Sequence, residues 1–268
     1  MKRFVDGTVQ AEVSGSGPTV WVLHSLLADA GSCRPLAEAL SEGYRVVLPD
    51  LPGFGGSEPA EDLVGVAGRI AAAMEEDAGT NARAGGAMLL GNGYGSFVAL
   101  MVALRQPALV SRLLLVGTGA AFSEPGRAAF RGMAGAAAAK GLEAIADVAM
   151  RRLFSPAFQA ANADLVAERR ARFLETDMGV FTQACGDLSA LDLRGEVERL
   201  AMPVLVLVGD GDEATPPAMA RELAGLVPGA EYEELPGLAH VPQLQDTGRF
   251  MPAIQGFLEG GRRGSDGL

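Results

Sequence analysis

The stretch LLGNGYGSFVALMVA, residues 89–103, decides how this chain is read. An apolar run ends in Gly91-Asn92-Gly93-Tyr94-Gly95, and a second apolar run follows at helical spacing. Glycine at every second position of a turn permits close backbone approach and conformations that other residues avoid. The pattern is strand, tight turn, helix. A dinucleotide-binding turn has a similar outline, but the third glycine of G-x-G-x-x-G would fall at Ser96. Its ribose-binding acid about 20 residues on is also missing, because no Asp or Glu occurs from 93 through 123.

Further short apolar runs lie on either side: TVWVLHS (19–25), YRVVLPD (44–50), AMLLGN (87–92), SRLLLVGT (111–118), PVLVLVGD (203–210) and a strand at 230–235. Helical patterns alternate with them at 33–43, 60–76, 95–106, 217–227 and 246–259. Residues 3–14 read as a hairpin turning at Asp6-Gly7. This alternation predicts an α/β fold, a mostly parallel sheet with helices on both faces. Residues 121–200 hold no strand-like run. They contain AAAAKGLEAIADVAMRRLF and NADLVAERRARFLE, both helical in pattern, and Ala-rich 135–139 favours helix intrinsically. The expected organisation is a core of 1–120 and 201–260, a helical cap of 121–200 over the strand ends, and a disordered tail of 261–268.

Composition narrows the function classes. A net charge of −11 and pI near 4.7 leave nothing to neutralise nucleic-acid phosphates. A small anionic ligand remains compatible, since a local pocket can differ from the global field. The N-terminal MKRFVDGTVQ has no apolar signal region. The most apolar window, 86–104, is broken by glycines and too short to span a bilayer. A cytoplasmic protein with no membrane partner is expected. Cys33 and Cys185 are too few for a disulfide framework or a zinc site and are read as packing residues. Oligomeric state is not legible.

The chain has two histidines. His24 closes the first central strand, and His240 lies in ELPGLAHVPQ after the last one. An acid lies in VGDGDEATPP, just past 203–209. In a parallel sheet these loops gather at the carboxyl edge, where ligand sites form. Their order is turn (93), acid (212), base (240).

With these pieces the chain resembles the α/β-hydrolases. LHSLLAD, LPDLPGFGGSEP, LLGNGYGSFVALMVA, PVLVLVGDGDEATPP and LPGLAHVPQL fall in that family's order nearly end to end. GLEAIADVAMRRLFSPAF and TQACGDLSALDLRGEVERL are similar to the caps of 3-oxoadipate enol-lactonases, as is HS rather than HG at 24–25. Leu153 stands where those caps carry Trp. The resemblance implies Asp212 as the acid, His240 as the base, and the backbone N–H groups of Leu26 and Tyr94 as the oxyanion hole. It calls for no cofactor and no metal. Asp210 is the alternative acid. Gly93 matches the nucleophile position, where the family has serine. The neighbouring departures at Asn92, Tyr94 and Ser96 mark a natural variant. Ser25, Asn92, Leu153 and Cys185 are the expected pocket-lining residues. His24 is read as structural, Asp50 as a loop brace, and Ser25 and Ser57 as loop hydroxyls with backbone partners. Ser96, Tyr94 and Cys185 are unsuited as replacement nucleophiles.

Three functions fit this pattern. The first is hydrolysis of an activated ester or lactone, with a water in the room left by glycine and a His–Asp dyad as its base. The second is proton transfer beside a carbonyl, as in a lyase, isomerase or cofactor-free oxygenase. The third is an inactive scaffold that binds a small molecule.

Overall fold

The computed structural model describes residues 1–81 and 86–260; the tail expected at 261–268 lies outside them. The chain opens with β1 (Lys2–Phe4), β2 (Val9–Ser14) and β3 (Thr19–Leu23), then α1 (Arg34–Leu40) and β4 (Arg45–Pro49). Next come α2 (Leu63–Asn81), β5 (Ala87–Asn92), α3 (Tyr94–Arg105) and β6 (Val110–Val116). Five helices follow: α4 (Glu124–Lys140), α5 (Ala146–Leu153), α6 (Pro156–Ala161), α7 (Ala163–Leu174) and α8 (Met178–Ala190). The chain returns to the sheet with β7 (Val204–Gly209), α9 (Pro217–Leu226) and β8 (Glu231–Leu235), and closes with α10 (Pro242–Gln245) and α11 (Thr247–Leu258).

The eight strands form one sheet in the order β1-β2-β4-β3-β5-β6-β7-β8. β2 runs antiparallel to β1 and β4, and β4 onward is parallel. Parallel strands require crossovers, so helices cover both faces. Side chains alternate between these faces along each strand. Trp21, Leu23, Leu89, Leu113 and Val206 pack with Ile70 of α2, Phe97 of α3 and Leu223 of α9. Val20, Val22, Leu90, Leu114 and Leu205 pack with Leu36 of α1 and with Phe250 and Phe257 of α11.

The α4–α8 segment joins the first of these cores through Phe130, Phe154, Phe173, Phe181 and Leu188. Its two ends run side by side, with Ala121 bridged to Asp192. Caps fix its helix starts: Ser123 Oγ accepts from Gly126 N–H, Ser155 Oγ from Phe158 N–H, and Asp177 Oδ1 from Val180 N–H. α6 and α8 have no counterpart among the helical patterns read from sequence. α8 carries Gly179, Thr182 and Gly186, which lower its intrinsic helix signal, and its packing against α4 supplies what propensity does not. Elsewhere boundaries shift by a few residues. α2 runs 63–81 where 60–76 is expected, and α3 starts at Tyr94, one residue nearer the turn.

Candidate active site

The carboxyl ends of β3, β5, β7 and β8 lead into the loops that carry the site. Between β5 and α3 stands a single residue, Gly93, with φ 55° and ψ −119°. This left-handed φ suits glycine, and a side chain there would be strained. A Cβ on Gly95 would lie 2.5 Å from the Leu23 carbonyl oxygen and 2.6 Å from that of His24. Only glycine allows this approach, and Gly95 N–H uses it to donate to His24 O at 3.0 Å. The loop after β3 is therefore fastened to the turn after β5.

Asp212 and His240 meet at the same edge. His240 Nδ1 lies 2.9 Å from Asp212 Oδ2, and both residues are buried. Asp212 Oδ1 accepts the N–H groups of Ala214 (2.8 Å) and Thr215 (2.9 Å), and Thr215 Oγ1 donates to Oδ2 at 2.8 Å. A carboxylate only accepts, so Nδ1 carries the proton and Nε2 is left basic. Gly117, after β6, packs beneath the pair; a Cβ there would lie 3.0 Å from both Asp212 Oδ2 and His240 Nδ1.

His240 Nε2 faces Ser25, whose Oγ stands 3.2 Å away. This corrects two expectations. Ser25 is not merely a loop hydroxyl with a backbone partner, because its side chain bonds His240 Nε2. The room expected for a water at Gly93 is also occupied. A Cβ on Gly93 would lie 2.6 Å from His240 Nε2 and 2.9 Å from Ser25 Cβ, and closer still to Ser25 Oγ. The Ser25 hydroxyl sits where a side chain at 93 would begin.

The remaining residues sort by contact. His24 is fully buried; its Nδ1–H donates to Ser25 O (3.0 Å), its Nε2 accepts Leu51 N–H (3.1 Å), and its ring meets Phe54 edge-on. It ties strand ends together, as expected. Asp50 accepts from Gly56 N–H at 2.9 Å, and Ser57 Oγ donates to Asp50 O at 2.8 Å. Asp210 is exposed and accepts from Gly237 N–H, away from His240. Ser96 Oγ donates to Gly93 O at 2.6 Å, inside α3.

The cavity beside His240 measures about 30 Å³ and is lined by Ser25, Leu26, Gly93, Tyr94, Arg152 and His240 among others. It adjoins a cleft of about 570 Å³ along Phe122, Arg152 and Ala214. Asn92, Leu153 and Cys185, expected as lining, stand behind its walls. The Asn92 amide donates to the carbonyls of His240 (2.8 Å) and Val116 (3.3 Å) and accepts from Gln243 (3.1 Å). Leu153 and Cys185 are core residues, and burial pushes the Cys185 thiol up to about 12. Burial likewise raises the Tyr94 phenol. The N–H groups of Leu26 and Tyr94 have no hydrogen-bond acceptor among the described residues.

Four contributors escape a reading of the sequence: Thr215, Gly117, Gln243 and Arg152. Arg152 is half-buried and has no hydrogen-bond or ion-pair partner among the described residues. Burial lowers its pKa, with the carboxylates of Asp212 and Glu213 opposing, and a guanidinium stays cationic under such shifts. Among the described residues no group of three or more His, Cys, Asp or Glu could hold a metal ion. No described helix is long and apolar enough to cross a membrane.

This geometry has close relatives. A pimeloyl-[acyl-carrier protein] methyl ester esterase of Vibrio cholerae is 28% identical over 257 residues, covering 92% of this chain and 96% of that protein. The crystal structure of the enol-lactonase from Burkholderia xenovorans LB400 superposes with a TM-score of 0.85 at 26% identity, covering 94% and 96% of the two chains. A thermophilic esterase from Thermogutta terrifontis, solved with malate bound, gives 0.84 at 25% identity, covering 94% and 93%. The family model described as alpha/beta hydrolase fold matches residues 18–247. With one mostly parallel sheet, a glycine turn after β5 and a buried His–Asp pair at the carboxyl edge, the chain belongs to the α/β-hydrolase family.

Proposed function

We propose that this chain hydrolyses a small, activated carboxylic ester or lactone. His240 is the general base, Asp212 fixes its tautomer, and the N–H groups of Leu26 and Tyr94 form the oxyanion hole. Gly93 occupies the family's nucleophile position and contributes no side chain. Helices α4–α8 act as a cap that closes the pocket. The observation that carries this reading is the buried Asp212–His240 pair beside a cavity lined by Leu26 and Tyr94, whose backbone N–H groups have no acceptor among the described residues.

Magnitudes favour an activated substrate. In a serine hydrolase, deleting the nucleophile costs about 10⁶ in kcat and leaves roughly 10³–10⁴ over water. A good leaving group, such as an enolate, lowers the barrier the remaining groups must overcome. Arg152 supports a substrate with a carboxylate of its own, since an unpartnered guanidinium on the wall suits bidentate binding of that group. The malate bound to the Thermogutta esterase fits the same reading.

The test is turnover of 3-oxoadipate enol-lactone and of the p-nitrophenyl monoester of a dicarboxylic acid. Activity that disappears in His240→Ala supports the reading. Activity unaffected by His240→Ala refutes it. A second reading, proton transfer beside a carbonyl, draws on the same base and N–H donors. It predicts deuterium exchange next to the carbonyl with no hydrolysis.

A further inference from the structure

We propose that Ser25, carried by the loop after β3, is the nucleophile of this site. Its hydroxyl takes the room that glycine leaves at position 93. The proposal rests on the hydrolytic reading above and names its attacking group.

Three observations converge on Ser25. Its Oγ lies 3.2 Å from His240 Nε2, the nitrogen that the Asp212 contact leaves unprotonated. That distance matches what a nucleophile–base pair needs in a ligand-free site. Its position overlaps the volume a side chain at 93 would fill, so the base is aimed where a family nucleophile would stand. Its neighbours complete the arrangement. Leu26 follows Ser25 directly and Tyr94 follows Gly93, and both line the cavity with their N–H groups unengaged among the described residues. A nucleophile followed by an oxyanion-hole N–H is the relation the usual elbow provides; here Ser25 and Leu26 reproduce it from the opposite loop.

Among the described residues no other hydroxyl or thiol lies within hydrogen-bond reach of His240 Nε2. Ser96 is committed to the Gly93 carbonyl, and Cys185 stands behind the pocket wall. Thr215 touches the ring at Nδ1, the wrong side, and gives its proton to Asp212.

The chemistry balances with groups on the page. His240 Nε2 takes the Ser25 proton as Oγ bonds to the substrate carbonyl carbon, whose oxygen becomes an oxyanion facing Leu26 and Tyr94 N–H. The carbon–oxygen bond to the leaving group breaks, and His240 returns the proton to that group. Water then attacks the acyl-Ser25 ester and gives its proton to His240. The carbon–Oγ bond breaks, and Ser25 recovers its proton. The net change is ester plus water to acid plus alcohol; a lactone opens to a hydroxy acid or its keto tautomer.

The experiment treats the full chain with a fluorophosphonate, from which an activated serine displaces fluoride, and locates the adduct by mass spectrometry. One adduct is expected, on Ser25. Labelling should fall at least about 100-fold in His240→Ala and vanish in Ser25→Ala, whose melting temperature is checked alongside. The label is read on the unaltered chain, so instability of a variant cannot obscure it. No adduct, or an adduct elsewhere, overturns the proposal. Ester turnover that needs His240 but survives Ser25→Ala also overturns it, while leaving the hydrolytic reading intact with water as nucleophile. Labelled Ser25 without turnover of any ester or lactone supports the nucleophile and rejects the substrate class.

Discussion

Thr215 holds Asp212 by both carboxylate oxygens: its N–H reaches Oδ1 at 2.9 Å and its hydroxyl reaches Oδ2 at 2.8 Å. The carboxylate cannot turn away from His240 without breaking both bonds. In Asp212→Asn an amide NH₂ facing Nδ1 would favour the wrong imidazole tautomer. By the scale of this substitution in a serine protease triad, kcat should fall about 10⁴-fold with KM little changed. Thr215→Val, which removes one clamp, should cost less. Steady-state kinetics on an activated ester reads both, and an Asp212→Asn variant of full activity would remove Asp212 from the mechanism.

Gly93→Ser is expected to lower activity, although it adds a hydroxyl at the turn between β5 and α3. Its Cβ would press on His240 Nε2 and on the Ser25 side chain, at a φ that strains any residue but glycine. Removing the obstruction as well, in Gly93→Ser with Ser25→Gly, should recover turnover and move the fluorophosphonate label to residue 93. Comparison of the single and double variants measures the coupling of the two positions.

Arg152 should govern charge preference. A charge-assisted hydrogen bond contributes about 1.5–3 kcal/mol, so Arg152→Gln should raise KM about 10- to 100-fold for a substrate bearing a free carboxylate. The neutral methyl ester of that substrate should be nearly unaffected. Equal effects on both substrates would remove Arg152 from recognition.

His24 makes stability depend on pH. Burial pushes its pKa below the ordinary 6.5, and both ring nitrogens are bonded in the neutral form. Above 6.5 neither the folded nor the unfolded state holds the extra proton, and the stability is fully present. As pH falls below 6.5 the unfolded chain binds a proton that the folded chain resists, and stability is lost toward the lower folded pKa. Urea unfolding at pH 8 and pH 5 should show this loss. His24→Asn should be less stable at pH 8 and less sensitive to pH.

Asp77 anchors the N-terminal edge of the sheet to α2. Its buried carboxylate takes Arg45 in a two-point contact at 2.6 and 2.8 Å and Lys2 at 3.0 Å. Asp77→Ala takes the carboxylate from the half-buried Arg45 guanidinium and should cost about 1.5–3 kcal/mol, the scale of hydrogen bonds to charged groups. Lys2 is 36% exposed, and Lys2→Ala should cost under about 1 kcal/mol. Urea midpoints distinguish the two.

Much of this molecule is legible along the chain. The central strands announce themselves as short apolar runs, and the turn at 91–95 can be read from its glycines. His240 and Asp212 were reachable because each sits in a loop directly after a strand, and parallel strands bring such loops to one edge. Ser25 was not reachable as a partner of His240. Its placement depends on how closely the ends of β3 and β5 approach, which Gly95 sets through space. Arg152 was hidden for a similar reason: Arg151 and Arg152 are adjacent, and only the rotation of α5 decides which one faces the pocket. α6 and α8 were missed because tertiary contacts, rather than local propensity, hold them.

The hydrogen bond from Gly95 N–H to His24 O joins two loops some seventy residues apart into one rigid rim. A rim of that kind is indifferent to which of its strands delivers a given atom. Chemistry can change its address in the gene while keeping its address in space. A search for serine at one fixed alignment column passes over the hydroxyl beside His240 Nε2, whereas a template drawn around that nitrogen finds Ser25.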